Sequence, residues 1–68
     1  MRAIVRRYDK EGRPGLASNA HITPEYKSLQ TMRRYWLRNM PAGRYQVEIY
    51  ANWDNRYKDP DKVFDWEN

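Results

Sequence analysis

The chain has 68 residues, among them three tryptophans, six tyrosines and one phenylalanine, and it carries a net charge of +4 without any cysteine. A chain of this length forms a single small domain, 1–68, and the lack of cysteine excludes disulfides and thiolate metal sites, so the cytoplasm is the expected compartment. The first apolar run, Ala3–Val5, is too short for a signal peptide or a membrane-spanning helix, so we expect no membrane contact.

The first predicted element is a strand over Arg2–Asp9, in which apolar and charged residues alternate. Neither face of this segment is cleanly apolar, which is typical of an edge strand. Two glycines and a proline in 9–15 predict a turn. The next segment, Leu16–Ile22, fits either a short returning strand or an irregular connection, and the pattern does not choose between them.

A helix is predicted from Thr23 to about Asn39. Thr23 is a suitable N-cap, Pro24 suits the first helical position, and Pro41 ends the segment. On a helical wheel the apolar side chains fall on one arc, which we expect to face a sheet. This arc contains Tyr26, Leu29, Met32, Trp36, Leu37 and Met40. Arg33 falls inside the arc, so its stem is expected to lie along the core while its charge reaches water.

Two strands are predicted after the helix. Segment 44–53 alternates cleanly and should place Tyr45 and Trp53 in the core, and Lys62–Trp66 should return beside it as a hairpin. The order β, an optional β, α, β, β predicts an α+β fold. We expect a small three- or four-stranded, mainly antiparallel sheet with a single helix packed across one face. The other face would be open to water or to a partner.

Charge is unevenly distributed along the chain. Residues 1–45 contain ten Lys/Arg and three Asp/Glu, a balance of +7, whereas residues 46–68 contain three Lys/Arg and six Asp/Glu, a balance of −3. One interpretation is that the basic part meets an anionic partner. The other is that the acidic end pairs with the basic part inside the molecule.

The predicted solvent face of the helix carries Lys27, Arg34 and Arg38 without an acid among them, and Tyr35 flanks them. A helix with structural duties alone usually mixes both signs of charge, although many charged runs are simply solvated. This stripe favours a nucleic-acid partner, with Tyr35 stacking or donating a hydrogen bond, and it fits an acidic protein surface equally well. Further support for phosphate binding is expected from Arg6, Arg7 and Arg13.

No catalytic motif is present. His21 is the only histidine, and a nucleophile–base pair with it would need an orienting acid that the sequence does not indicate. The acidic segment 54–61 lacks the spacing and the glycine of a calcium-binding loop. We therefore expect a non-enzymatic binding module with no cofactor and no metal.

Two other functions are compatible with the sequence. The first is a protein-binding accessory or inhibitor protein, of the kind common in phages and mobile elements, that uses Glu48 and Tyr50 on the open sheet face together with Tyr57. The second is a homodimer that pairs edge strands or sheet faces. Exposed aromatic side chains would favour the first of these, and self-association the second.

Overall fold

The computed structural model describes residues 1–16 and 19–68, and these form a four-stranded antiparallel sheet with one short helix. The strand order is β2-β1-β3-β4, which confirms the predicted α+β class and the β3–β4 hairpin. The elements are β1 Arg2–Arg7, β2 His21–Ile22, helix α1 Leu29–Tyr35, a 3-10 turn Leu37–Asn39, β3 Arg44–Tyr50, a second 3-10 turn Trp53–Asn55, and β4 Lys62–Glu67. The undecided segment Leu16–Ile22 contributes β2 alone, and its residues Ala17 and Ser18 lie outside the described part.

Strand β1 is an interior strand, so the prediction of an edge strand was wrong. Val5 pairs with Val47 of β3 on one side and with His21 of β2 on the other. The charge that made one face of β1 ambiguous belongs to Arg6, and the structure neutralises it with an ion pair to Glu48 of β3. An interior strand accepts such a charge because its partner lies on the neighbouring strand and on the same face.

The core lies between the helical layer and one face of the sheet. Met32 and Leu37 are fully buried against this face, as the apolar arc predicted. The sheet contributes the buried residues Ala3, Val5, Tyr45, Val47 and Ile49. Phe64 and Trp66 of β4 extend the core at its edge, where both are partly exposed. In so short a chain these few side chains supply most of the buried apolar area.

Helix α1 begins later than predicted because Thr23 has another role. Thr23 is buried, and its backbone N–H donates to Ala3 O while its hydroxyl accepts from Ala3 N, both at 3.0 Å. Segment 21–26 therefore runs beside β1, on the side away from β3, instead of forming a helical turn. Ser28 is the actual N-cap, and its Oγ accepts from Thr31 N at 3.2 Å.

The end of the helix also departs from the prediction. At Trp36 the backbone leaves the helical region (φ −127°, ψ −58°), and the chain continues as the 3-10 turn Leu37–Asn39. The side chains of Trp66 and Asn68 donate to Leu37 O at 3.2 and 2.7 Å. Leu37 O also accepts from Met40 N at 3.3 Å within the turn, and the two side-chain bonds fix the turn against the end of β4.

The end of β3 corrects two further predictions. The strand stops at Tyr50, so Trp53 lies in the following 3-10 turn and not in the core beside Tyr45. Its ring packs edge-on against Tyr50, with the centroids 5.9 Å apart. Tyr50 is only 5% exposed as a result, and the prediction that it presents an open aromatic surface was wrong.

Candidate nucleic-acid interface

A basic groove runs along the solvent side of the helical layer. It has a volume of about 380 Å³ and is lined by Gln30, Arg33, Arg34 and Arg38. The first three come from α1 and Arg38 comes from the 3-10 turn, so the capping bonds of Ser28 and the bonds from Trp66 and Asn68 determine their relative positions. We refer to these four residues below as the basic groove.

Arg33 is held at the edge of the groove by an aromatic ring. Its guanidinium carbon lies 5.3 Å from the centroid of Phe64 on β4, a cation–π distance. The stem therefore lies along the core edge while the charge stays exposed, as expected for a long basic side chain at the margin of an apolar arc. The sequence predicted this position of the Arg33 side chain but did not place Arg33 among the phosphate-binding residues.

The arginines of the basic groove have no acidic partner in residues 1–16 and 19–68. The ion pairs in that part of the chain involve the carboxylates of Glu25, Glu48 and Asp65. Glu48 and Asp65 lie on the open face of the sheet, where they pair with Arg6 and Arg44. Intramolecular neutralisation thus takes place on the open face, and it leaves the positive charge of the helical layer uncompensated.

The other basic residues predicted to contact phosphates are placed differently. Lys27 precedes the helix and does not line the basic groove, because α1 begins at Leu29. Arg6 belongs to the ion pair on the open face. Arg7 donates to Ala42 O at 3.1 Å and holds the segment that enters β3. Arg13 lies exposed in the turn after β1. Arg34 and Arg38 alone remain together as predicted.

A second groove lies on the other flank of the helical layer, since it includes His21 of β2, whereas Arg33 of the basic groove contacts Phe64 of β4 at the opposite edge of the sheet. It has a volume of about 240 Å³ and its lining is mostly aromatic and apolar: His21, Tyr35, Trp36, Asn39, Met40 and Pro41. The rings of His21 and Trp36 lie 6.4 Å apart at an interplanar angle of 59°. Tyr35 is 61% exposed, and the guanidinium carbon of Arg34 lies 5.9 Å from its ring centroid. Arg34, which lines the basic groove, thus reaches the ring of Tyr35, which lines the aromatic groove.

The residues predicted for a protein partner do not form one surface. Tyr50 is covered by Trp53, and Glu48 is engaged by Arg6 and accepts from the Tyr50 hydroxyl at 3.3 Å. Tyr57 is 85% exposed in the loop before β4. The guanidinium carbon of Arg56 lies 4.6 Å from the Tyr57 ring and 5.4 Å from that of Trp53. One exposed aromatic residue stacked on an arginine therefore remains from that set.

A polar network occupies the open face at the end of the sheet. The Tyr8 hydroxyl donates to Asp65 Oδ1 at 2.5 Å, and Arg44 Nη2 donates to Asp65 Oδ2 at 2.7 Å. The hydrogen bond from Tyr8, followed by that from Arg44, lowers the pKa of Asp65, and the bond to Asp65 raises the pKa of Tyr8. All three groups are open to solvent, so this network orders surface side chains and builds no shielded site.

Comparisons with known proteins add no assignment, since no family model, curated protein or solved structure matches this chain. In the described residues no group of three or more His, Asp or Glu side chains is arranged to hold a metal ion. The same part of the chain contains no helix long and apolar enough to cross a membrane. The basic groove and the aromatic groove, on the two flanks of the helical layer, are the features that offer a binding chemistry.

Proposed function

We propose that this chain is a small, non-enzymatic nucleic-acid-binding module that contacts phosphates through the basic groove. The observation that supports this function is the convergence of Arg33, Arg34 and Arg38 on one groove, with no carboxylate paired to them in residues 1–16 and 19–68. Guanidinium groups bind phosphate oxygens through paired N–H donors, and such contacts supply most of the affinity that does not depend on sequence.

The distribution of the remaining charge supports the same partner. On the open face, Arg6 and Arg44 pair with Glu48 and Asp65, so these two arginines offer a polyanion little attraction, while Arg2 and Arg56 lie against the ring of Trp53. The helical layer lies on the opposite side of the sheet and carries the free arginines. A polyanion is therefore steered to the helical layer, and its approach should depend strongly on ionic strength.

A salt titration of binding to labelled duplex DNA and to single-stranded RNA tests the proposal. If each of the three arginines neutralises one phosphate, they contribute about −2.7 to the log–log salt slope on duplex DNA and about −2.1 on a single strand. Arg34→Ala/Arg38→Ala should reduce the slope on duplex DNA by about 1.8 in magnitude. Lack of binding at about 50 mM salt would contradict the proposal.

A charge-matched variant supplies the control. Lys10 and Lys58 are exposed in loops, and neither lines the basic groove. Lys10→Ala/Lys58→Ala therefore removes two positive charges, as many as the arginine variant, but leaves the groove intact. We expect its salt slope to remain close to that of the wild type. Equal losses in both double variants would show that net charge, and not the groove, governs binding.

Protein binding is the second candidate, and the exposed stack of Arg56 and Tyr57 favours it. Tyrosine and arginine are enriched among the residues that dominate the energy of protein interfaces. For an accessory or inhibitor protein of this kind, Tyr57→Ala should cost more affinity than Arg34→Ala/Arg38→Ala. Salt should then act mainly on the association rate, because the basic groove would only steer the encounter.

A further inference from the structure

We infer that the aromatic groove accepts an unpaired nucleobase, so that the nucleic acid bound by this module is single-stranded. This inference rests on the proposed phosphate-binding function, and it adds that the bound nucleic acid is single-stranded. It starts from the composition of the groove, which has a volume of about 240 Å³ and is lined by the three aromatic residues His21, Tyr35 and Trp36. Base stacking on such rings is the usual means by which proteins retain single strands.

The size of the groove limits what it can hold. Pockets for drug-sized ligands and cofactors span about 300–1,000 Å³, so this groove falls below that range and suits one flat ring system. His21 and Asn39 place polar atoms among its apolar walls. A base needs such a combination, because its faces stack while its edges form hydrogen bonds.

Arg34 reaches from the basic groove to a ring that lines the aromatic groove. Arg34 lines the basic groove, and its guanidinium carbon lies 5.9 Å from the ring of Tyr35 in the aromatic groove. A nucleic acid strand carries one phosphate and one aromatic base in each nucleotide. A phosphate held at Arg34 would therefore leave the adjoining base beside Tyr35. In a duplex this base is stacked and paired, so the fit requires a single strand or an unpaired loop.

The exposure of the Tyr35 ring also favours a base bound in the aromatic groove. The side chain is 61% exposed although it is aromatic, whereas Trp36 next to it packs against the core. Tyr35 lies outside the apolar arc of the helix, and its ring stays largely open although the guanidinium of Arg34 lies beside it. An exposed ring beside uncompensated arginines is the arrangement expected at a stacking platform for single-stranded nucleic acid.

The test compares an oligothymidylate with an abasic oligomer that has the same number of phosphates. The abasic strand retains every phosphate contact and removes the bases. We expect the wild-type protein to bind the oligothymidylate about 5- to 150-fold more tightly, the range for stacking of one base. Tyr35→Ala should bring this ratio close to one, and Tyr35→Phe should retain it, because phenylalanine keeps the ring.

Three outcomes separate this inference from the function on which it rests. If wild type binds both oligomers equally, with a steep dependence on salt, the base site is excluded and phosphate binding stands. If it binds neither, both proposals fall. If a duplex of the same length binds more tightly than the oligothymidylate, the single-strand inference is overturned. Arg34→Ala/Arg38→Ala should weaken both oligomers by similar factors, since it removes phosphate contacts common to the two.

Discussion

Thr23 and Ala3 are joined by two hydrogen bonds, each 3.0 Å long, one from the Thr23 N–H to Ala3 O and the other from the Ala3 N–H to the Thr23 hydroxyl. Both residues are buried. The hydroxyl thus replaces a backbone carbonyl as the partner of Ala3 N, and it extends the pairing of β1 beyond the two residues of β2. This pair of bonds sets the point where the chain can first turn into the helix.

Replacement of Thr23 by valine should therefore destabilise the fold. Valine has nearly the same shape but no hydroxyl, so the buried Ala3 N–H loses its acceptor, and we expect the free energy of unfolding to fall by about 1–3 kcal/mol. A domain of this length has a total stability of about 3–10 kcal/mol, so the loss is readily measured by urea denaturation. Thr23→Ser retains the hydroxyl and should lose less, and equal losses would show that packing dominates at this position.

The same contact explains how far the sequence predicted the helix. The spacing of Leu29, Met32 and Trp36 identified the face that packs on the sheet, because it depends on a local period. The start was wrong because Thr23 and Pro24 are also a good helix N-terminus, and the competing partner, Ala3, is twenty positions away. Local sequence patterns carry no information about a hydrogen bond between residues so far apart in the chain.

Leu37→Ala should have a larger effect than any surface change. The side chain is fully buried in the core, so its truncation removes transfer energy and leaves a cavity, at a cost of about 2–5 kcal/mol. Leu16 is 72% exposed, and Leu16→Ala makes the same chemical change with an expected effect within about 0.5 kcal/mol. Thermal unfolding followed by circular dichroism measures both, and a similar melting temperature for the two variants would contradict the assigned core.

Arg6→Ala should separate stability from nucleic-acid binding. Arg6 is partly buried on the open face and pairs there with Glu48, so its removal leaves a partly buried carboxylate without its counter-charge. We expect a loss of about 1–3 kcal/mol in the free energy of unfolding, as for a hydrogen bond to a charged group. The salt slope of nucleic-acid binding should change little, because Arg6 lies on the opposite side of the sheet from the basic groove.

Arg34→Ala is the complement of that variant. Its side chain is exposed and contacts the ring of Tyr35, so its removal should change stability by less than about 0.5 kcal/mol and weaken binding. Arg6→Ala should thus lower stability and leave binding nearly unchanged, whereas Arg34→Ala should weaken binding and leave stability nearly unchanged. If Arg6→Ala reduced the salt slope as much as Arg34→Ala, the open face would take part in binding and the assignment to the helical layer would be wrong.

The candidate site was only partly visible in the sequence for similar reasons. Arg34, Arg38 and the flanking Tyr35 were identified because a helical stripe of basic residues without an acid is a local pattern. Lys27 does not line the basic groove with these arginines, because the helix begins two residues after it, at Leu29. His21 was missed as a wall of the aromatic groove because it reaches Trp36 only through the pairing of β2 with β1.

The network of Tyr8, Asp65 and Arg44 should make stability depend on pH at both ends of the range. The lowered pKa of Asp65 means that its contribution is complete above the usual aspartate value of about 3.9 and is lost as the pH falls through the lowered value. The raised pKa of Tyr8 acts in the opposite sense, so its contribution is complete below about 10 and is lost as the pH rises through the raised value.

The difference in melting temperature between wild type and Tyr8→Phe should therefore be largest between about pH 4 and pH 10 and should shrink outside this window. The effect should be small, because the three side chains are open to solvent, where water screens their attraction. Tyr57→Phe is the matched control, since its hydroxyl accepts from Arg56 at 3.0 Å and contacts no carboxylate. A Tyr8→Phe difference that stayed constant from acid to alkaline pH would show that the hydroxyl bond to Asp65 does not persist in solution.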